Sequence, residues 1–201
     1  VISKNGCATV MWKYDERGNR IEGRCFGIDG MSAINDIYGS AKIMWKYDER
    51  GNLIEESYFG IDGKPAISKN ASAKVTWKYD ERGNLIEESY FGIDGTPVIS
   101  KNGYAKLAMT YDDQGNPTER AYFGADGELV INKDGYAIEV NIYDGHGNLI
   151  EQSYVGINGE SVISKSGYAR YSIIYDKYDD VMSVWFYGVD GKLINIGVPQ
   201  P

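Results

Sequence analysis

Carboxylates return at fixed places along this chain, and their spacing bears first on chemistry. Glu22, Glu55, Glu87, Glu119 and Glu151 hold one position of a recurring segment, broken by Ser183 in its last copy. Such a row could line a cation-binding groove, or it could be partly buried and hydrogen-bonded, because a buried carboxylate without partners is expensive. Lys13, Lys46 and Lys78 are the obvious partners, yet Thr110, Ile142 and Ile174 take their places later while the glutamate persists. The expectation is therefore a structural ladder satisfied by donors present in every unit, either backbone amides or the hydroxyls of Tyr14, Tyr47, Tyr79, Tyr111 and Tyr143. A second carboxylate row, Asp80 and Asp94 with their copies, lacks the dense spacing of an EF-hand or of a nonapeptide calcium repeat, so turn-capping is the more economical reading. His146, the only histidine, replaces Arg17, Arg50, Arg82 and Gln114 of other copies and reads as a solvated turn residue. With no Ser/His/Asp set and no unique acid pair, neither catalysis nor a metal or cofactor is expected.

Aromatic rows are the other chemistry on offer. Tyr58, Tyr90, Tyr122 and Tyr154, with Phe186 last, are expected on the more polar face, where flat rings could stack on sugars or dock a protein partner; cross-strand packing that simply stiffens the structure is the favoured reading. Cys7 and Cys25 both lie in the first unit, each replacing an aromatic of the repeat: Cys7 stands where others have Tyr104 or Tyr136, and Cys25 where others have Tyr90 or Tyr122. A cross-strand disulfide in an exported protein and two free buried thiols both fit that substitution.

These side chains are carried by an internal repeat. Its first tyrosine recurs at Tyr14, Tyr47, Tyr79, Tyr111, Tyr143 and Tyr175, one step of 33 and then four of 32, so six units run through the 201 residues, approximately 1–30, 31–63, 64–95, 96–127, 128–159 and 160–201. A unit this short cannot bury a core alone and is stable only against its neighbours, which makes one repeat array the default. The invariant positions are few: the tyrosine and its following aspartate, two turn glycines and one alanine (Ala8, Ala41, Ala73, Ala105, Ala137, Ala169).

Three turns per unit follow from Asp80-Glu81-Arg82-Gly83, Gly92-Ile93-Asp94-Gly95 and Ser100-Lys101-Asn102-Gly103, each of which fits a type I turn with glycine fourth. The intervening Ala73–Tyr79 and Leu85–Phe91 read as the two strands of a hairpin. Counting outward from the turn pairs Tyr79 with Leu85, Trp77 with Glu87 and Val75 with Ser89; a one-residue slip would exchange the second strand's faces. The fold expected is an all-β, superhelical antiparallel array of six hairpins; a six-bladed propeller-like ring is the alternative, disfavoured because 32 residues is short for four strands per blade. The last unit, with its apolar strand Val181–Phe186 and the end Gly197-Val198-Pro199-Gln200-Pro201, reads as a terminal cap whose prolines blunt an open edge.

The formal charge of −8 and pI near 4.8 argue against nucleic acid, whose binders need a basic surface. No apolar run approaches the roughly 18 residues of a membrane span. The chain opens without Met and in mid-unit, and reads as a piece of a longer polypeptide.

Tyr79-Asp80-Glu81-Arg82-Gly83-Asn84 and its copies resemble the tyrosine-aspartate (YD) repeats of rearrangement-hotspot and teneurin-type proteins, the sixth copy departing at Asp179 and Asp180. The resemblance touches about six residues of each unit. It implies structural hairpin arrays in large bacterial surface or secreted proteins. The aromatic-Gly-x-Asp-Gly element is also similar, over a shorter stretch, to cell-wall- and glucan-binding repeats. Two functions are thereby expected: a noncatalytic structural or protein-interaction segment, or else a module that binds carbohydrate or cell wall along an aromatic ladder.

Overall fold

The YDxxGN turn organises each hairpin locally. In the third, the Asp80 amide donates to the Asn84 carbonyl at 3.0 Å and the Gly83 amide to the Asp80 carbonyl at 3.1 Å, with Gly83 at φ +89°, a conformation glycine holds without steric cost. Asp80 then locks the turn with its side chain. Oδ1 accepts from the amides of Arg82 (2.9 Å) and Asn84 (2.8 Å), while Oδ2 accepts from the Asn84 side-chain amide (2.9 Å). The same clasp joins Asp15 to Asn19, Asp48 to Asn52, Asp112 to Asn116 and Asp144 to Asn148. In the sixth hairpin Asp179 holds the glycine position at φ +66°, and Asp176 still receives the amides of Tyr178 and Asp180.

The computed structural model describes residues 6–194. The hairpins are β1 (Thr9–Tyr14) with β2 (Arg20–Phe26), β3 (Lys42–Tyr47) with β4 (Leu53–Phe59), β5 (Lys74–Tyr79) with β6 (Leu85–Phe91), β7 (Lys106–Tyr111) with β8 (Pro117–Phe123), β9 (Ile138–Tyr143) with β10 (Leu149–Val155), and β11 (Arg170–Tyr175) with β12 (Val181–Tyr187). The chain divides into two compact units, Val1–Lys101 and Asn102–Pro201, the first holding β1 to β6 and the second β7 to β12. In each, the strands lie in chain order as an open antiparallel meander. Successive hairpins pair directly, β2 with β3, β4 with β5, β8 with β9 and β10 with β11, as an array requires and separate propeller blades do not allow. Val1 and Pro201, which a closed ring would bring side by side, and the prolines expected to blunt the final edge lie outside the described residues.

The strand register corrects the count made from the turn. Tyr79 does face Leu85, but Lys78 then faces Glu87, Trp77 faces Glu88 and Val75 faces Tyr90, so Ile86 is the extra residue of a β-bulge. The same irregularity follows the turn in every described hairpin, at Lys13/Tyr14, Lys46/Tyr47, Thr110/Tyr111, Leu149/Glu151 and Ile174/Tyr175. A bulge adds one residue to one strand and exchanges all faces beyond it. Its consequence is favourable on both sides: Tyr90 moves opposite apolar Val75, and Glu87 moves opposite Lys78.

The core is thin and built from small and aromatic residues. Ala41, Ala73, Ala105, Ala137 and Ala169 are buried where the chain enters each opening strand, beside Ile43, Val75 and Leu107. The residue before each alanine changes along the array. It is Cys7, then Ser40 and Ser72, then Tyr104, Tyr136 and Tyr168.

Candidate functional site

The glutamate row takes its partners from the pairing that the bulge creates. Lys13, Lys46 and Lys78 reach Glu22, Glu55 and Glu87 at 3.2, 2.9 and 2.8 Å. Arg24 adds a second bond to Glu22 at 2.8 Å, and Ser57 and Ser89 donate to Glu55 and Glu87. Where the lysine is lost, Glu151 is met instead by Arg170 of the next hairpin at 2.6 Å, while Glu119 faces Thr110 and is half-buried. The hydrogen bond from Arg24 outweighs the opposing effect of burial and holds the Glu22 carboxyl below its ordinary range. In place of the expected donors, tyrosine hydroxyls or backbone amides, lysine or arginine meets Glu22, Glu55, Glu87 and Glu151. The tyrosine hydroxyls serve another purpose: Tyr79, Tyr143 and Tyr175 donate to the carbonyls of Leu53, Pro117 and Leu149 in the preceding hairpin at 2.9, 3.1 and 3.0 Å. Tyr47 is half-buried, Tyr111 approaches the Met109 sulfur, and Tyr14 in the first strand is exposed.

The second aromatic row is interior. Tyr58, Tyr90, Tyr122 and Tyr154 are 7, 2, 8 and 6 % exposed, so these residues form no open platform for sugar rings. In the second unit they interleave with the residues that precede the alanines. Ring centroids lie 4.9 Å apart for Tyr104–Tyr122, 5.8 Å for Tyr122–Tyr136, 4.5 Å for the stacked pair Tyr136–Tyr154, 5.9 Å for Tyr154–Tyr168 and 4.8 Å for Tyr168–Phe186. Burial first, and then the nearby Glu139 charge, pushes the Tyr122 hydroxyl up to about 12. In the first hairpin the equivalent of such a ring pair is covalent: Cys7 and Cys25 form a disulfide, and the Asn35 side-chain amide lies 3.4 Å from the Cys7 sulfur.

A polar cluster that repeat-averaged reading misses sits inside this ladder. Glu139 is 5 % exposed and accepts from Arg120 Nη1 (2.5 Å), Tyr136 Oη (3.1 Å) and Asn141 Nδ2 (3.3 Å). Asn141 in turn bonds the Pro117 carbonyl and receives Gln152 Nε2 at 2.8 Å, and Gln152 Oε1 accepts from Tyr154 at 3.0 Å. The signal was present as departures from the repeat: Glu139 stands where Val75 and Leu107 stand, Asn141 where Trp77 and Met109 stand, and Arg120 where Glu56 and Glu88 stand. With both carboxylate oxygens engaged, Glu139 ties the fifth hairpin to the fourth.

The hairpin turns touch one another through the variable fourth residue of the YDxxGN motif. Arg17 Nη1 donates to the Glu49 carbonyl at 2.6 Å, Arg50 to that of Glu81, Gln114 to that of Gly145 at 3.5 Å, and His146 Nδ1 lies 3.0 Å from Asp179. His146 is therefore a strut to the next turn, although its ring is largely solvated. Two equivalent grooves of ≈ 480 Å³ lie between successive turns of the first unit. One is lined by Asp15, Arg17, Trp45, Tyr47, Asp48 and Ile54, the next by Asp48, Arg50, Ile54, Trp77, Tyr79 and Asp80. Among the described residues no cluster of three or more His, Cys, Asp or Glu is placed to hold a metal ion.

No protein-family profile and no curated protein matches the sequence. Among solved structures, the chain is similar to TcdB2-TccC3 in its crystal structure, with 13 % identity and a TM-score of 0.47 over 91 % of this chain and 9 % of that one. TcdB2-TccC3-TEV matches with 14 % identity and a TM-score of 0.46 over 88 % of this chain and 9 % of that one. The Tc holotoxin pore of Photorhabdus luminescens matches with 13 % identity and a TM-score of 0.37 over 88 % of this chain and 10 % of that one. The chain thus spans about a tenth of the length of each.

At the opposite end of the hairpins from the YDxxGN turns, the second turn exposes Ile28, Ile61, Ile93, Ile157 and Val189, and the segment after it exposes Ile34, Ile67, Ile99, Ile131 and Ile163. Each set takes one apolar side chain from each of five hairpins at a repeated position; Ala125 stands at the first position in the fourth hairpin.

Proposed function

We propose that this chain is a noncatalytic repeat scaffold of the tyrosine-aspartate type, a structural and protein-interaction segment of a large secreted or surface polypeptide. The carrying observation is that most of the repeated polar and aromatic residues are occupied internally: turn aspartates by their own turns, Tyr79, Tyr143 and Tyr175 by the preceding hairpin, Glu22, Glu55, Glu87 and Glu151 by Lys or Arg, and the inner tyrosines of the second unit by each other. The Asp–Asn clasp gives the YDxxGN motif a structural reason, which supports placing the chain with proteins that carry it. The bonded Cys7 and Cys25 suit an oxidising compartment. The exposed isoleucines recurring at two positions of the repeat offer apolar surface that suits a protein partner.

The test is binding of the 201-residue chain to a glycan array and to bacterial peptidoglycan. No binding is expected. Binding that is lost in Trp45→Ala or Trp77→Ala, with folding intact, would overturn the scaffold reading in favour of a carbohydrate module seated in the turn grooves.

A further inference from the structure

The two grooves between YDxxGN turns in the first compact unit are one arrangement built twice. One repeat on from Asp15, Arg17, Ile21, Trp45, Tyr47 and Glu49 stand Asp48, Arg50, Ile54, Trp77, Tyr79 and Glu81, and each set lines a groove of ≈ 480 Å³. The hairpin itself does not need the tryptophan. Met109, Asn141 and Ile173 take its place in β7, β9 and β11, which keep the same bulged pairing. Trp45 and Trp77 are only half-buried, so their rings are within reach of a partner.

Much of the polar chemistry along the grooves is occupied by the turns. Asp15, Asp48 and Asp80 hold Asn19, Asn52 and Asn84, Arg17 and Arg50 donate to the Glu49 and Glu81 carbonyls, and the Tyr79 hydroxyl donates to Leu53. A ligand is therefore offered aromatic and isoleucine surface together with negative charge. Asp15, Asp48 and Glu49 line the first groove with Arg17 and Lys46; Asp48, Asp80 and Glu81 line the second with Arg50 and Lys78. Both lysines are already paired, with Glu55 and Glu87. Glu49 and Glu81 are exposed and make no ion pair among the described residues.

Spacing narrows the occupant further. Neighbouring grooves are one hairpin apart, which is two strands and hence about 9.6 Å. A polyproline II segment rises about 3.1 Å per residue with three residues per turn, so every third side chain returns to one side after about 9.3 Å. We propose that the two grooves bind a basic, proline-rich segment of a partner protein in that conformation. Prolines three residues apart enter successive grooves, and an intervening Arg or Lys meets Glu49 or Glu81. Proline suits such a groove because its ring asks for apolar contact and its nitrogen has no hydrogen to satisfy. The preformed helix also loses little entropy on docking against aromatic walls. This inference rests on the protein-interaction reading and names the partner's chemistry.

The probe is a capped seven-residue peptide with proline at its first, fourth and seventh places and arginine at its second and fifth, titrated calorimetrically into the 201-residue chain. Saturable binding is expected, weakened about tenfold in Trp45→Met and in Trp77→Met, as for loss of a central aromatic anchor. Both substitutions copy Met109 and so keep the hairpin, which the thermal midpoint checks. Glu49→Gln combined with Glu81→Gln changes only exposed side chains; it should weaken binding and flatten its salt dependence. A peptide with proline at every fourth place, or with glutamate for arginine, should bind at least about tenfold more weakly. No binding of the probe overturns the proposal. So does equal binding by the respaced peptide, by the glutamate peptide, by both Trp→Met variants or by the double Gln variant. Those failures leave the scaffold reading standing, since that reading falls to glycan binding in the array measurement and not to silence of the peptide.

Discussion

Cys7 and Cys25 are bonded across the first hairpin at the two positions where Tyr136 and Tyr154 stack in the fifth, their ring centroids 4.5 Å apart. A covalent link therefore replaces a ring contact in the first hairpin. Cross-linking residues separated by 18 in sequence restricts the unfolded chain by about 3 kcal/mol for loops of this size. Replacing both cysteines by serine is expected to destabilise the protein by that order in urea denaturation, and a double variant as stable as the parent would show that packing alone holds the first hairpin.

The cluster at Glu139 should behave as a buried ion pair does. Glu139→Val strands Arg120 and is expected to cost about 3 kcal/mol, the lower end of the range for breaking a buried pair because Arg120 reaches solvent. Adding Arg120→Met should recover most of that loss, since well-packed apolar residues commonly equal or exceed a buried pair. Denaturant midpoints of the single and double variants decide it; a double variant worse than the single one would contradict the account.

At Gly83 the cost is purely conformational. A Cβ there meets nothing within 4 Å, yet φ is +89°. Gly83→Ala is expected to cost about 1–2 kcal/mol, and Gly83→Asn clearly less, because asparagine tolerates left-handed backbone. Asp179 already holds the corresponding place at φ +66°. Equal losses for the two variants, measured by thermal unfolding, would contradict the turn assignment.

His146 supplies a pH test. Its hydrogen bond to Asp179, then the charges of Asp179 and Asp144, raise its pKa above the ordinary value. A raised folded-state pKa means that the folded protein holds the proton more tightly, so the contact contributes fully below about 6.5 and is lost as pH rises through the folded value. Both groups are solvated and the stability effect is small. An NMR titration of His146 should show a midpoint that falls in Asp179→Asn, and an unchanged midpoint would remove the strut.

What the sequence made legible was whatever is settled locally. The donors that lock Asp80 lie within four residues of it, so turns, hairpins and all-β class follow from the repeat alone. The faces beyond the turn did not follow, because the bulge at Ile86 is set by what the two strands bury together: Tyr90 against Val75 on one side, Lys78 against Glu87 on the other. Without that extra residue Tyr90 counts as an outward ring and Lys78 as an unrelated charge, which is how a core ladder reads as a binding platform. The Glu139 cluster was hidden for a different reason. Comparing units reveals what they share, whereas Glu139, Asn141 and Arg120 matter where one unit differs from the rest.

Tyr122 tests the central claim, that the aromatic ladder is interior packing that holds the array and offers no face to a ligand. Truncating a buried aromatic costs about 3–5 kcal/mol, whereas a surface ring costs within about 0.5 kcal/mol. Urea denaturation of Tyr122→Ala, its ring 8 % exposed and 4.9 Å from that of Tyr104, should therefore show a loss of about 3 kcal/mol or more. A variant that unfolds within about 0.5 kcal/mol of the parent would contradict the account and return the tyrosines to the surface.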